Sequence, residues 1–171
     1  ADMMYFPWMK YQVSNSSYGY EGMVQTTYSP RQSLSFSVRY RMKSKQKDFK
    51  SNNETLLRYH TTHNLRLQMK CSAANNLTLK TTLAGSAVRK TDSQTALGVL
   101  FSENIRWENT PKIKRMELTM TYFNTDDYDS RLYHYEPSLL YTYGFSSYSS
   151  HGIRLSFLVS TSVLPNHFNS A

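Results

Sequence analysis

With 171 residues, 39% of them apolar, and a net charge of +8, the chain fits one domain. It has no run of about eighteen apolar residues that would make a transmembrane helix, and too few Gly and Pro for a collagen-like or linker-like protein. A single cysteine, Cys71, excludes an internal disulfide and a thiolate metal cluster, while the positive charge favours anionic partners without choosing among phosphate groups, nucleic acid and lipid headgroups.

A transmembrane barrel stays open, because each of its strands needs only about ten alternating residues. Fourteen Tyr, eight Phe and two Trp make the chain 14% aromatic, and Tyr suits either a β-sheet surface or the headgroup level of a bilayer. The first residues, Ala-Asp-Met-Met, carry neither a charged n-region nor an apolar h-region, so no export signal is expected within this stretch.

Met4 to Val13 reads as an aromatic-rich strand, with Pro7 implying an edge position or a bulge. Asn15 to Gly19 turns the chain, Tyr20 to Tyr28 is the next strand, and Ser29 to Gln32 is a tight turn with Pro30 pre-set in φ. Leu34, Phe36, Val38, Tyr40 and Met42 then alternate without a break with Ser33, Ser35, Ser37, Arg39, Arg41 and Lys43. That period of two is a strand with one face in an apolar medium and one in water. A basic polar loop from Ser44 to Asn53 is expected next.

From Leu57 the odd positions pass through Tyr59, Leu65, Leu67 and Met69 to Cys71, and the even ones through Arg58, His60, Arg66 and Gln68 to Lys70. The phase never slips, which favours one strand of about eighteen residues over a hairpin at Thr61 to Asn64, longer than ordinary globular strands. Ala73 to Asn76 turns into a strand from Leu77 to Arg89, followed by a polar connection at Lys90 to Ser93. Leu97, Val99, Phe101, Ile105 and Trp107 share the next face, which Glu103 interrupts. After a turn at Glu108 to Lys112, Met116, Leu118, Met120 and Tyr122 alternate with Arg115, Glu117, Thr119 and Thr121. An acidic loop, Thr125 to Ser130, precedes strands at Arg131 to Phe145 and Ile153 to Ser160, which a Ser-rich turn at Ser146 to His151 separates.

The expectation is an all-β antiparallel meander of about nine strands over residues 1–160, with an irregular tail at 161–171. Short turns on one rim and longer loops on the other describe an outer-membrane-type β-barrel. An odd strand count and the exposed edges of an open sheet point to a fragment of a larger barrel, completed by further strands or domains of a longer parent. A soluble β-sandwich, pairing two apolar faces, is the alternative.

The polar faces are strongly basic: Arg39, Arg41, Lys43, Arg58, Arg66, Lys70, Lys80, Arg106, Arg115 and Arg154, with Glu117 nearly the only acid. If they line a lumen, their repulsion calls for water, counter-ions, an acidic plug or an anionic cargo; on an open sheet they are ordinary solvated side chains. His60 and His63, three apart on one strand, fall on opposite faces and cannot share a metal. Asp126, Asp127 and Asp129 lack the glycine and spacing of a calcium loop. His151 among serines invites a rim hydrolase, yet neither a nucleophile elbow nor a carboxylate orienter accompanies it. The Lys43, Lys45, Lys47 and Lys50 stretch has Phe49 as its single aromatic, too few for stacking on nucleic acid. No cofactor or metal is expected.

The block from Tyr122 to Glu136, with Leu139 to Tyr143 and Gly152 to Arg154, resembles the C-terminal β-barrel region of bacterial helix-hairpin-helix domain-containing proteins. Phe6 to Tyr11, Tyr18 to Glu21 and Val24 to Arg31 are similar to earlier strands of that region. The resemblance implies an outer-membrane barrel in the bacterial cell envelope, and no direct nucleic-acid contact from this chain. It carries no catalytic residue over, and marks Tyr122, Asp129, Ser130, Arg131, Tyr133, Tyr135 and Glu136 as a structural signature, with an Arg131–Glu136 ion pair or a tyrosine hydrogen-bond cluster as its content. Pro137, Ser138 and the tail after Val159 depart from the pattern.

Sequence thus points to a non-enzymatic outer-membrane component, structural or transporting, that meets lipid or lipopolysaccharide and attracts anionic cargo. A soluble sandwich or small barrel binding an anionic or apolar ligand stands against it, and a rim-site hydrolase is third.

Overall fold

The computed structural model describes residues 1–51, 54–74, 76–90, 95–108, 113–136 and 145–161. Among them run ten strands: β1 (Asp2–Phe6), β2 (Ser17–Arg31), β3 (Leu34–Ser51), β4 (Glu54–Ala74), β5 (Leu77–Lys90), β6 (Ala96–Trp107), β7 (Ile113–Thr125), β8 (Leu132–Tyr135), β9 (Phe145–Tyr148) and β10 (His151–Thr161). Eight form one antiparallel sheet in the order β1-β2-β3-β4-β5-β6-β7-β10, while β8 and β9 pair only with each other. The antiparallel meander is as the alternation predicts, and β1 and β10 are its two edges.

Register turns the period of two into two chemically distinct faces. Val38, Leu67, Leu83, Phe101, Tyr122 and Ile153 stand opposite one another in a row across six strands. One residue along, Arg39, Arg66, Ala84, Leu100, Phe123 and Gly152 form the matching row on the other side. A slip of one residue at any pairing would carry a strand's apolar set to the polar face, so the continuous phase specifies the register.

The long strand read from Leu57 onward is a single element of 21 residues, roughly 70 Å at about 3.3 Å per residue. Its partner β3 pairs with it to the Ser51–Glu54 position, whereas β2 leaves β3 at Lys45 and β5 leaves β4 at His60. The hairpin tip therefore projects as a two-stranded ribbon. This corrects the expected Ser44–Asn53 loop: the strand continues through Ser51, and residues 52 and 53 lie outside the described residues. Polar residues occupy both alternating sets of positions along this ribbon, so its composition looks like a loop's. The segment before β2 braces it, with Asp48 N–H donating to the Gln12 carbonyl at 2.9 Å and the Ser14 hydroxyl to Asp48 Oδ1 at 3.0 Å.

Three further expectations change. The first strand stops at Phe6, before Pro7, and a single bridge joins Lys10 to Val13. The expected strand Arg131–Phe145 is a strand only over Leu132–Tyr135 among the described residues, and Ser146 and Ser147, expected in a turn, lie in β9. The turn itself is at Ser149 and Ser150, where Ser150 takes a φ of 72°. Residues 137–144 lie outside the described residues, as do 162–171, which include all but the first residue of the expected tail.

The small core lies on the polar face of the sheet. Leu132 of β8 and Tyr148 of β9 are buried against Ala84 of β5 and Leu100 of β6, with Phe123 of β7 packed beside them. The Phe123 and Tyr148 rings lie 4.8 Å apart. The β8–β9 hairpin is thus folded onto the sheet rather than added to its edge. Among the described residues no second sheet covers the apolar face.

Candidate functional site

A short 3-10 turn, Tyr128–Ser130, aims the hairpin at the sheet. Asp127 caps it, its carboxylate accepting from the Tyr128 N–H at 2.6 Å, while the Ser130 hydroxyl both donates to the Asp127 carbonyl at 2.8 Å and accepts from the Asp127 N–H. Asp126 ties the loop back to β6 by accepting from the Leu97 N–H at 2.9 Å, and Asp129 reaches His60 of β4 at 3.7 Å. All three acids of this loop anchor it. Gly98 leaves the room: a Cβ there would collide with the Ser130 carbonyl and stand 3.0 Å from Thr125 Cγ2.

Alternation and register put all ten basic residues singled out from sequence on the face that the hairpin covers. Carboxylates engage several of them. Glu21 of β2 holds Arg41 at 2.5 Å and Lys43 at 3.2 Å. Glu117, its side chain fully buried, binds both Arg106 and Arg115 through one oxygen, and its second oxygen has no hydrogen-bond partner. Arg154 meets Glu136 of the hairpin at 3.1 Å.

Elsewhere cations oppose cations. Arg39 faces Arg66, Lys47 faces Arg58 and Lys70 faces Lys80 at directly paired positions of adjacent strands, an arrangement that destabilises a sheet unless something neutral or anionic intervenes. Arg66 is relieved by the hairpin backbone, donating to the Tyr133 carbonyl, and Arg39 donates to Gln25 at 2.8 Å. Neutral polar residues fill the space between: Ser102 and Thr121 share a hydrogen bond at 3.0 Å, and Asn104 donates to Thr119 at 2.7 Å.

His134 and Tyr148 are the buried titratable groups of the hairpin. Burial, reinforced by the charges of Arg66 and Lys80, pushes the His134 imidazole down to about 4. Burial and the hydrogen bond that Tyr148 donates to Glu136 push its phenol up to about 12. Between hairpin and sheet a cleft of about 200 Å³ remains, bordered by Lys80, Arg106, Arg115 and His134.

The signature residues divide between the two faces. Tyr122 stands on the apolar face between Phe101 and Ile153, whereas Asp129, Ser130, Arg131, Tyr133, Tyr135 and Glu136 belong to the turn and hairpin. The expected Arg131–Glu136 pair does not form. Arg131 lies over the Tyr128 ring at 4.3 Å and donates to the Tyr133 hydroxyl at 2.7 Å, and Glu136, four residues beyond Leu132 in a hairpin that turns inward, meets Arg154 instead. His60 and His63 do face opposite ways: His63 Nδ1 lies 2.7 Å from the Tyr40 hydroxyl on the apolar face. Among the described residues no three His, Cys, Asp or Glu side chains gather as a metal site would require.

Sequence reasoning missed Glu21, Gly98, His134 and Tyr148. Gly98 had a usable signal, as a glycine inside an otherwise alternating strand marks a close approach of other backbone.

Fold and site together define an antiparallel meander sheet whose polar, basic face is covered by an acid-bearing hairpin. No protein-family model, curated protein or solved structure matches the chain.

Proposed function

We propose that the chain forms wall strands of an outer-membrane-type β-barrel, without catalytic activity, in a structural or transport role. Its apolar face meets lipid, and its basic face meets water and attracts anions. One observation carries this reading: the apolar face is exposed across the whole sheet. Val38, Leu67, Leu83, Phe101, Met120 and Leu155 are each 37–69% exposed and lie in neighbouring strands of the sheet, a continuous apolar band of the kind that marks a membrane or partner surface.

The aromatics support it. Tyr20 and Tyr59, with ring centroids 6.4 Å apart, stand near one end of the band, and Tyr28 and Trp107 near the other, as interfacial girdles do. Tyr59 and Met69 bracket about ten residues of β4, the length of a tilted membrane strand. Glu103, opposite Thr81 and Met120, is the acid that interrupts the band. No helix among the described residues is long and apolar enough to cross a membrane, which leaves a barrel untouched. The resemblance of the Tyr122–Glu136 block to the barrel region of bacterial helix-hairpin-helix domain-containing proteins points the same way, and with it to the bacterial outer membrane and to lipopolysaccharide as a neighbour.

Solubility tests the reading. The chain is expected to be monodisperse only in detergent or after refolding into vesicles. A monodisperse, folded chain in detergent-free buffer would overturn the membrane assignment in favour of a soluble sheet that binds an apolar partner.

A further inference from the structure

We propose that the cleft beneath the hairpin binds a soluble phosphate-class dianion, inorganic phosphate or a small phosphate monoester, with Lys80 as its anchor. The inference rests on the reading of the basic face as anion-attracting, and adds a place and a ligand class to it.

Charge balance locates the site. Arg106 and Arg115 share the buried carboxylate of Glu117, and Arg106 also lies 3.9 Å from Glu108, so two guanidinium groups are met by one buried carboxylate and one more distant, exposed one. Glu136, on the hairpin side, is engaged by Arg154 and by Tyr148. Lys80 has no ion-pair partner among the described residues, and it stands directly opposite Lys70. The cleft with its immediate neighbours therefore carries four cations, Lys80, Arg106, Arg115 and Arg154, against three acids, Glu108, Glu117 and Glu136. A half-buried ammonium that faces another across a ladder is costly in the empty state, and an anion that binds only the folded chain recovers that cost.

The lining selects the ligand. Besides the cations the walls are Thr82, Ser102, Asn104, Thr119, His134, Tyr135 and Glu136, a set of hydroxyl, amide, imidazole and phenol groups with one carboxylate, already engaged by Arg154 and Tyr148, and no aliphatic side chain. Such a wall offers many donors to a tetrahedral oxyanion. About 200 Å³ accommodates a phosphate with a small hydrophilic substituent.

Isothermal titration of the folded protein with inorganic phosphate, at ionic strength matched with chloride, tests the proposal. One phosphate per chain is expected to bind saturably, and Lys80→Gln to weaken it at least tenfold. That variant removes the repulsion from Lys70, so its unliganded stability is expected to hold or rise, which separates lost binding from lost folding. Arg31→Gln, at the β2–β3 turn, is expected to leave binding unchanged. Absence of saturation above the chloride baseline, equal losses in the two variants, or displacement of phosphate by phosphatidic acid micelles would each overturn the proposal. The titration runs equally in detergent or in buffer, so failure of the membrane reading shows separately, as detergent-free monodispersity.

Discussion

Gly98 of β6 lies directly beneath the carbonyl of Ser130, so close that a methyl group on the glycine would overlap the oxygen. The inward fold of the β8–β9 hairpin depends on that missing side chain. Gly98→Ala is expected to lift the turn off the sheet and to cost about 1–3 kcal/mol, the usual range for overpacking. Limited proteolysis reads the effect: cleavage between Asp126 and Ser150 accelerates, while the sheet strands stay protected. Unchanged cleavage would mean that the turn is not held where the geometry places it.

Acidification tests the other end of the hairpin. The folded pKa of His134, about 4, lies below its ordinary value of 6.5, so the fold prefers the neutral ring. The corresponding stability is complete above pH 6.5 and is lost as pH falls toward 4, roughly 3 kcal/mol in all. Hydrogen exchange of β8 amides is expected to speed up across that window, and His134→Gln to flatten the response. A variant that responds like the parent would assign the acid limb to other groups.

Alkali acts with the opposite sign. Tyr148 has a folded pKa of about 12 against 10.0, so its contribution is complete below pH 10 and lost between 10 and 12. The amount is roughly 2–3 kcal/mol. The measurement is a difference, which cancels what alkali does elsewhere in the chain: denaturation midpoints of the parent and of Tyr148→Phe should converge as pH rises from 10 to 12. Parallel curves would show that the phenol proton is not part of what holds the hairpin.

Ser150 occupies the left-handed region with φ 72° while its N–H donates to Thr125 Oγ1 at 2.7 Å and its carbonyl accepts from the Thr125 N–H at 2.8 Å. Those backbone bonds hold a serine in a conformation that glycine adopts without strain. Ser150→Gly should therefore stabilise the chain by about 0.5–1 kcal/mol in chemical denaturation, and a destabilised variant would contradict the strain.

On the apolar face, Leu67 sits mid-row between Val38 and Leu83. Leu67→Lys places a charge where the proposal puts the bilayer midplane, at a cost of about 2–4 kcal/mol; the same change on a solvated surface stays within about 0.5 kcal/mol. Folding yield into vesicles of the variant and the parent separates the two outcomes.

Much of the sheet was legible because alternation survives along whole strands: the phase from Leu34 to Met42 and from Leu57 to Cys71 fixes which side chains share a face. Counter-ions were less legible, since Glu21 opposite Lys43 and Glu117 opposite Arg106 depend on register, which no single strand contains. The hairpin was not legible at all. Leu132, His134 and Tyr148 alternate as any sheet strand would, and local pattern cannot distinguish joining an edge from lying on a face. In the projecting ribbon of β3, polar side chains on both sides hid the strand, because the alternation that marks a strand requires one face to be out of water.

The skip in strand order from β7 to β10 has a consequence for the order of assembly. Every other seam of the sheet joins strands that are consecutive in the chain. The β7–β10 seam, which begins at Asn124 and His151, closes only after the whole intervening hairpin has been gathered, an added loop-closure cost of roughly 1.5–2 kcal/mol over a tight turn. It is therefore the seam expected to zip last and to open first under load. Because the hairpin hangs from both strands of that seam, opening it would carry the hairpin away with β10 and bare the basic face in one event.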